Sequence, residues 1–480
     1  MSKYIVAIGG TGARVVQAVI HLAAAGLLKT QDNSSEEEIR LLFIEPDKGN
    51  GNLSSTTQTI QIYQRFYNLL GSLNTQTRDW IATKVLPEEQ PNIWSLFANS
   101  NQRRLKDFFN FSSSELQHKH LLDVLFTQTE QKEVLDTKGF KGRPAIGAAV
   151  LKKLIRDQAY QESWRNLCNQ IRIDANAKVI LCGSVFGGTG ASGLPLIAQE
   201  LKNLNSGLEL DALLVLPYFK FPESENAESQ IFVRSEELML RTKAALEYYD
   251  IRAKDLFDKC YLLGTPEFTE VEFSDGGQNQ KNPPHFLELY AALAVRDSLF
   301  GEQEVNNSNS VLLLSRKSPQ RITWDDIPDN NQVRSKILTA TIFALIWLII
   351  INPNLKDAQN HNRQLPYISR FYTRTGISNF QEQEQEPIKT VTAWCEDYWN
   401  WLVELHIHGS GIDLVQINAF VNRGILNQEQ NNFAGKILDL YGIKVNDILN
   451  KLSNYKSGAS NDDSTVKLAK ALYSLLSPHF

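Results

Sequence analysis

Two stretches of this chain have the residue types of an anion cradle. One is "AIGGTGARVV", which holds Gly9, Gly10, Thr11, Gly12 and Arg14. The other is "FGGTGASG", which holds Gly187, Gly188, Thr189, Gly190, Ala191 and Ser192. Each follows a short apolar run and opens a helix-periodic segment. Glycine permits positive φ and lets a phosphate approach the backbone closely. Successive amides of such a turn point at the anion, and the helix that follows adds the partial positive charge of its N-terminus. Thr11 and Thr189 add a hydroxyl each. A third glycine loop, "GFKGRPAIG", contains Gly142 and Arg143. A single GGTG turn needs no more than a tight strand-to-helix connection to account for it. Three glycine loops feeding one sheet point to convergence on one polyphosphate.

Neither GGTG loop is a Walker A motif, because no GxxxxGK[ST] occurs and the lysine that reaches terminal phosphates is missing. The first loop also has the form of a dinucleotide fingerprint, with Glu45 or Asp47 after the second strand at the place of a ribose ligand. That fold needs one phosphate loop and leaves the second unexplained.

The elements that must position these loops read as alternating strands and helices. Residues 4–8, 39–44, 178–182, 212–216 and 259–263 are short apolar runs, and 11–28, 192–204, 235–249 and 284–300 are helix-periodic. Strand, helix, strand in under 50 residues is a βαβ unit, so a parallel sheet is expected, with its ligand beyond the carboxyl ends of the strands. Residues 50–135 are rich in Gln, Asn, Ser and Thr with scattered aromatics, and read as a helical insertion. Residues 310–315 read as a further strand. Beyond 355 the chain reads as mainly helical and aromatic-rich.

With 480 residues the chain is long enough for two or three domains. Its 42% hydrophobic and 21% charged residues are the balance of a soluble globular protein. The net charge of −5 carries no basic excess that would advertise nucleic acid. Cys168, Cys182, Cys260 and Cys395 form no CxxC pair, so zinc or a redox dithiol is not expected. Cys182 and Cys260 lie in apolar runs and read as buried thiols, in keeping with a reducing cytoplasm. "KYIVAI" reads as a strand, not a leader. The uncharged segment 337–351 spans about 22 Å as a helix, short of the roughly 30 Å hydrocarbon core, so a buried helix is expected and no transmembrane span.

In order and spacing these motifs resemble the tubulin and FtsZ superfamily, nearest to its bacterial tubulin-like proteins. "FGGTGASG" is similar to the signature GGGTG[ST]G, with Phe186 in place of the first glycine. "AIGGTGARVV", "FIEPDKGNG" and "GFKGRPAIGAA" resemble its first, second and third loops. "LLVLPYFKFPES" resembles the strand and loop that FtsZ writes as PFxFEG, and "PPHFLELYAALAVRDSLF" sits where the long central helix belongs. The resemblance covers residues 1–300. It implies a tubulin/FtsZ-like α/β domain there, with a divergent, mostly helical part over 301–480. It implies GTP or GDP with Mg²⁺, phosphates on Gly9–Arg14 and Gly187–Ser192, Gly142 and Arg143 near the γ-phosphate, and Asp47 at the Mg²⁺ or ribose. It also implies a GTPase that assembles head to tail into filaments.

The chain departs from the family at two places. No Asn follows "YLLGTPEF", and the central-helix position that reads the base falls near Tyr290, beside Glu288, with Phe286 also placed to stack. No NxDxxD-type loop follows the helix. Asp297, Glu302, Glu304, Asp325 and Asp326 are the acids available there, with Asp297 and Glu302 at the place from which a neighbouring subunit's acid would act. These departures keep two other readings open: a non-polymerising nucleotide-dependent scaffold or switch, in a defence or membrane-linked system, and an NAD(P)-binding Rossmann protein.

Overall fold

The computed structural model describes residues 2–30, 37–71, 80–88, 92–97, 104–109, 116–135, 139–157, 161–174, 176–221, 235–272, 274, 276–301, 322–355, 365–372, 382–408, 443–456 and 463–479. The strands are β1 Lys3–Ile8, β2 Glu37–Ile44, β3 Thr83–Leu86, β4 Asn92–Trp94, β5 Lys178–Ser184, β6 Glu209–Val215, β7 Phe219–Lys220, β8 Lys259–Leu263 and β9 Thr269–Glu270. Interleaved with them are α1 Gly9–Ala24, α2 Gly51–Leu70, α3 Leu105–Phe108, α4 Leu116–Leu125, α5 Gln128–Lys132, α6 Pro144–Arg156, α7 Glu162–Ile173, α8 Gly188–Leu204, α9 Ser235–Leu256, α10 Phe286–Phe300 and α11 Asn330–Ile346. Helices Glu382–His408, Val445–Ser453 and Ser464–Leu476 follow.

The main sheet runs β3-β2-β1-β5-β6-β8, with β4 also on β2, and every pairing is parallel. Counting β4 apart, this is the 3-2-1-4-5-6 order of a doubly wound α/β fold, whose chain direction reverses between β1 and β5. Both central strands are buried along their whole length, which is why they read as unbroken apolar runs without alternation. Ile5 and Ala7 face one hydrophobic cluster, Tyr4, Val6 and Ile8 the other. The second cluster holds α6, α7, α8 and α9. The first holds α1, α2, α10 and the helices beyond residue 322.

Within 50–135, expected as a helical insertion, the described residues 51–70, 83–86 and 92–94 belong instead to the sheet and its helix layer, and the described helices come after them. α2 is a layer helix of the sheet's own βαβ succession, and 83–86 and 92–94 are strands paired to β2. Its outward positions carry Gln, Ser and Thr, which diluted the apolar stripe of Leu53, Ile60, Tyr63, Phe66 and Tyr67. The first cluster also continues without a break across residue 300. Phe66 stacks on Trp394 (centroids 4.3 Å, 5°), Trp80 on Tyr473 (4.1 Å, 7°) and His21 on Trp401 (4.5 Å, 21°).

The apolar segment is longer than its uncharged stretch suggests. Asn330–Leu355 forms one run of 26 residues containing an 18-residue window of mean hydropathy 1.9, long and apolar enough by length and composition to cross a membrane. Here 83% of that window is buried inside the protein. Burial, not length, is therefore what makes it a core helix in this structure. Cys260, expected buried, is exposed on β8, the last strand in the order of the described sheet. The strand expected at 310–315 lies outside the described residues.

If the two parts share one core, truncating it on the far side must unfold both. Trp394 is 2% exposed, and Trp394→Ala should cost about 3–5 kcal/mol. Urea unfolding followed by far-UV circular dichroism and by tryptophan fluorescence should shift together as one transition. Two separated transitions, with only one moved, would refute the shared core.

Candidate functional site

Three neighbouring strands end level with one another: Ile8 pairs with Ile44 of β2 and with Gly183 of β5. The helices that follow must therefore start side by side at this edge, the point where the sheet reverses direction. The glycines make that possible. A β-carbon on Gly9, whose φ is +76°, would stand 3.2 Å from Thr189 Cβ and 3.3 Å from the Gly190 nitrogen, so the first and second loops touch. One on Gly188 would stand 2.7 Å from Phe140 Cβ and 3.2 Å from the nitrogens of Gly142 and Arg143, so the second and third loops touch. One on Gly10 would meet the side chains of Asn52 (3.2 Å) and Asn50 (3.4 Å), at the turn after β2. Four loops far apart in sequence thus form one constellation.

Its electrostatics favour an anion. α1, α6 and α8 begin at Ile8, Arg143 and Gly187 with no side-chain cap and no acidic residue in the first turn. Each leaves orphan N–H groups and a partial positive charge of roughly half a unit at its start. α2 also lacks an acid in its first turn, but Asn50 caps it by accepting from the amides of Asn52 and Leu53. Gly9, Gly10, Thr11 and Gly187 are half-buried and form the reachable rim, while Gly12, Gly188, Thr189, Gly190 and Ser192 are buried behind it.

Not every residue expected at the phosphates points there. A β-carbon on Gly12 would lie 2.5 Å from the Cys182 carbonyl, and one on Gly190 2.5 Å from that of Ser184, so both glycines serve helix-to-strand packing. The Ser192 hydroxyl donates to the carbonyls of Gly188 (2.7 Å) and Thr189 (3.1 Å) within its own helix. Ala191 donates its amide to the Gly187 carbonyl at 3.3 Å. The Gly142 carbonyl accepts from Arg241 of α9.

The charged residues are engaged by partners the sequence did not reveal. Arg14 is buried and forked onto Glu288, with Nε 3.2 Å from Oε1 and Nη2 2.9 Å from Oε2, and it donates to Gln17 (2.8 Å). Glu288 also accepts from the Tyr218 hydroxyl at 3.1 Å. Arg143 and Lys141 grip the two oxygens of Glu133 at 2.5 and 2.6 Å. Burial pushes the Glu133 carboxyl up, but the two cations outweigh it and hold it below the usual range. Asp47 accepts from the amide of Gly49 (2.9 Å) and from that of Gly277 (2.6 Å). The strap 276–282 is thereby tied to the turn after β2, where Gln280 and Asn282 also bond Asn50 and Asn52.

Beside Asp47, Glu45 is 5% exposed and accepts the Asp47 amide at 3.1 Å. Burial raises its carboxyl to about 8, with the neighbouring Asp47 charge adding to the rise. No group of three His, Cys, Asp or Glu is gathered for a metal among the described residues. Were Mg²⁺ to bind here with phosphates and water, Asp47 is the carboxylate that would hold it.

Of the expected catalytic acids, Asp297 is described, and it does not join this corner. Asp297 lies nine residues beyond Glu288 on α10, about 14 Å along the helix axis. Its carboxylate accepts from the Tyr261 hydroxyl at 2.5 Å. Asp326 caps its own turn by accepting from Thr323, while Tyr290 donates to the Asp326 carbonyl at 2.8 Å. Asp325 is exposed, and Glu302 and Glu304 lie outside the described residues.

The buried carboxyl gives a signed test. Glu45 ionises in the unfolded chain near 4.5 and in the folded chain at about 8, so the stability it permits is full below the lower value and lost as pH rises toward the upper. Glu45→Gln, which keeps the acceptor oxygen, should raise stability at pH 8 and lose that advantage toward pH 4.5, on the order of 1 kcal/mol per pH unit. Thermal unfolding of both proteins across this range measures it, and parallel curves would contradict it.

A scan against protein-family models finds no match for this chain, and a search of curated proteins finds no relative.

Proposed function

We propose that this chain is a tubulin-like GTP-binding protein of the cytoplasm. GTP or GDP sits with its phosphates over Gly9, Gly10, Thr11 and Gly187, and Mg²⁺ beside Asp47. The observation that carries this reading is the meeting of three uncapped helix N-termini and four loops at the reversal point of a parallel sheet. One polyphosphate answers all of them at once. The order of the loop motifs along the chain, including "FGGTGASG", is what favours the tubulin and FtsZ type over other α/β nucleotide binders.

In this reading hydrolysis is shared between subunits. Among the described residues the corner offers amides and cations but no free carboxylate base, since Asp47 and Glu133 are engaged and burial keeps Glu45 protonated. Asp297 and Glu302 then act on a neighbour's nucleotide in a head-to-tail assembly, an arrangement that makes filaments when its rotation does not close. Such an assembly releases Asp297 from Tyr261.

Two other readings have observations of their own. The engaged state of Asp297 and of Arg143 favours a nucleotide-dependent scaffold or switch that neither polymerises nor hydrolyses. The 3-2-1-4-5-6 strand order is also that of dinucleotide-binding domains, which favours NAD(P).

The nucleotide that co-purifies with the protein separates the last reading from the others, and calorimetric titration with GTP and with NAD repeats the test. GTP binding should weaken strongly on chelation of Mg²⁺, and Asp47→Ala should reproduce roughly 10- to 100-fold of that loss. Chelator-insensitive binding would favour the dinucleotide. Phosphate release per molecule should climb with protein concentration, with sedimentation rising alongside, and Asp297→Ala or Glu302→Ala should lower it while sparing binding. A rate that stays flat across dilution would sink the shared site.

A further inference from the structure

The third glycine loop is held in a conformation that its sequence does not favour throughout. Within four residues Gly139, Lys141 and Gly142 all have positive φ, at +60°, +45° and +67°. Glycine occupies that region freely, but a lysine there is strained by its own β-carbon. Such a backbone persists only where its surroundings impose it. Here the contacts on the strained residue and its neighbour are ionic. Lys141 Nζ stands 2.6 Å from Glu133 Oε1, and Arg143 Nη2 stands 2.5 Å from Oε2. Among the described residues neither carboxylate oxygen of Glu133 has a partner beyond these two cations.

This clasp adjoins the glycine corner and is open to solvent. The loop starts against the turn after β2, where a β-carbon on Gly139 would stand 3.7 Å from Pro46 Cγ and 3.9 Å from Asp47 Cβ. It ends against the start of α8, where Gly188 lies beside the nitrogens of Gly142 and Arg143. The side chains of Glu133, Lys141 and Arg143 are 14%, 11% and 17% exposed. Arg241 of α9 adds a third cation by donating to the Gly142 carbonyl. Two of the three cations are therefore spent on one carboxylate. That carboxylate comes from outside the loop, on the residue that closes α5 by donating its amide to the Thr129 carbonyl at 3.1 Å.

A carboxylate brings one charge and two oxygens to such a pair of cations. A terminal phosphate group brings up to two charges and three acceptor oxygens, and it fits the guanidinium fork equally well. It is the stronger ligand for the same two side chains.

We propose that Glu133 is an internal stand-in for phosphate, which holds Lys141 and Arg143 until a phosphate group of the bound nucleotide takes its place. The contact is autoinhibitory. It lowers the apparent affinity for the nucleotide, because the cations must first be given up by Glu133. Its exchange also frees α5 from the loop, so that occupancy of the corner is signalled at the exposed residues Gln128, Thr129, Lys132 and Val134. The proposal rests on the nucleotide reading above and adds the residue that opposes binding.

The test is calorimetric titration of the full chain with GTP in the presence of Mg²⁺. Glu133→Gln keeps the shape but gives up the charge, and should bind GTP roughly tenfold more tightly than wild type. A residue with a merely structural role would not gain binding on substitution. Glu130→Gln removes the same charge three residues away, and a glutamine still serves the capping box with Thr127. It should change the affinity by less than about twofold, since screening blunts a charge that makes no contact. Equal gains in the two variants, or an unchanged or weaker affinity in Glu133→Gln, would overturn the exchange while leaving nucleotide binding intact. If Glu133→Gln does not fold, hydrogen exchange on wild type decides. With GTP bound, the amides of 128–135 should exchange severalfold faster while those of 9–12 and 187–190 slow. Unchanged or slower exchange at 128–135 overturns the inference. Failure of wild type to bind GTP would instead overturn the nucleotide reading, and this inference with it.

Discussion

The fold depends on one close approach. At the reversal point α1 leaves β1 and α8 leaves β5 side by side, and backbone must pack directly on backbone there. Gly12 meets the Cys182 carbonyl, and Gly190 that of Ser184, at distances that no β-carbon survives. These two glycines set how near the helices stand, and the nearness is what lets their free amides share one space. Any larger side chain at either position would drive the helix starts apart. The outer glycines, Gly9, Gly10 and Gly187, then line the opening that the inner ones create.

Around this approach the charges are sorted by layer. On the α1 side a buried polar chain runs from Glu288 through Arg14 and Gln17 to Thr59 of α2, and on at 3.4 Å to Asp397 of the helix Glu382–His408. His21, stacked on Trp401 in the same layer, is held neutral by burial, with its pKa lowered to about 3. Burial raises the Asp397 carboxyl to about 6. Breaking a buried pair such as Arg14–Glu288 from one side leaves an uncompensated charge and is strongly destabilising. The helices beyond residue 322 are therefore joined to the glycine-loop corner by polar as well as aromatic contacts.

Much of this was legible in the sequence where burial is complete on both faces. β1, β5 and β6 stand out as apolar runs, and the glycine loops after β1 and β5 are visible because glycine has no other common reason to recur so densely. α2 was not legible as a layer helix, since Asn, Gln, Ser and Thr line its outer face and its Thr56 and Thr59 are buried by hydrogen bonds, not by hydrophobicity. The partners of charged residues were the least visible. Arg14 and Glu288 are 274 positions apart, and nothing in a single sequence couples them.

The helix Asn330–Leu355 carries an implication for synthesis. Its covering surface is made largely of residues that follow it: Trp347 donates to Thr392 at 3.0 Å, Phe343 lies 5.8 Å from Trp394, and Tyr398 donates to the Ile337 carbonyl at 3.4 Å. A ribosome adding about 5–20 residues per second takes seconds to deliver Glu382–His408 after this helix has left it. Throughout that interval this apolar run lacks most of its cover, keeping only earlier contacts such as Trp80 on Phe343 (4.7 Å). It has the length and greasiness that targeting factors and chaperones recognise. The order of elements therefore sets a race between intramolecular covering and capture by those factors.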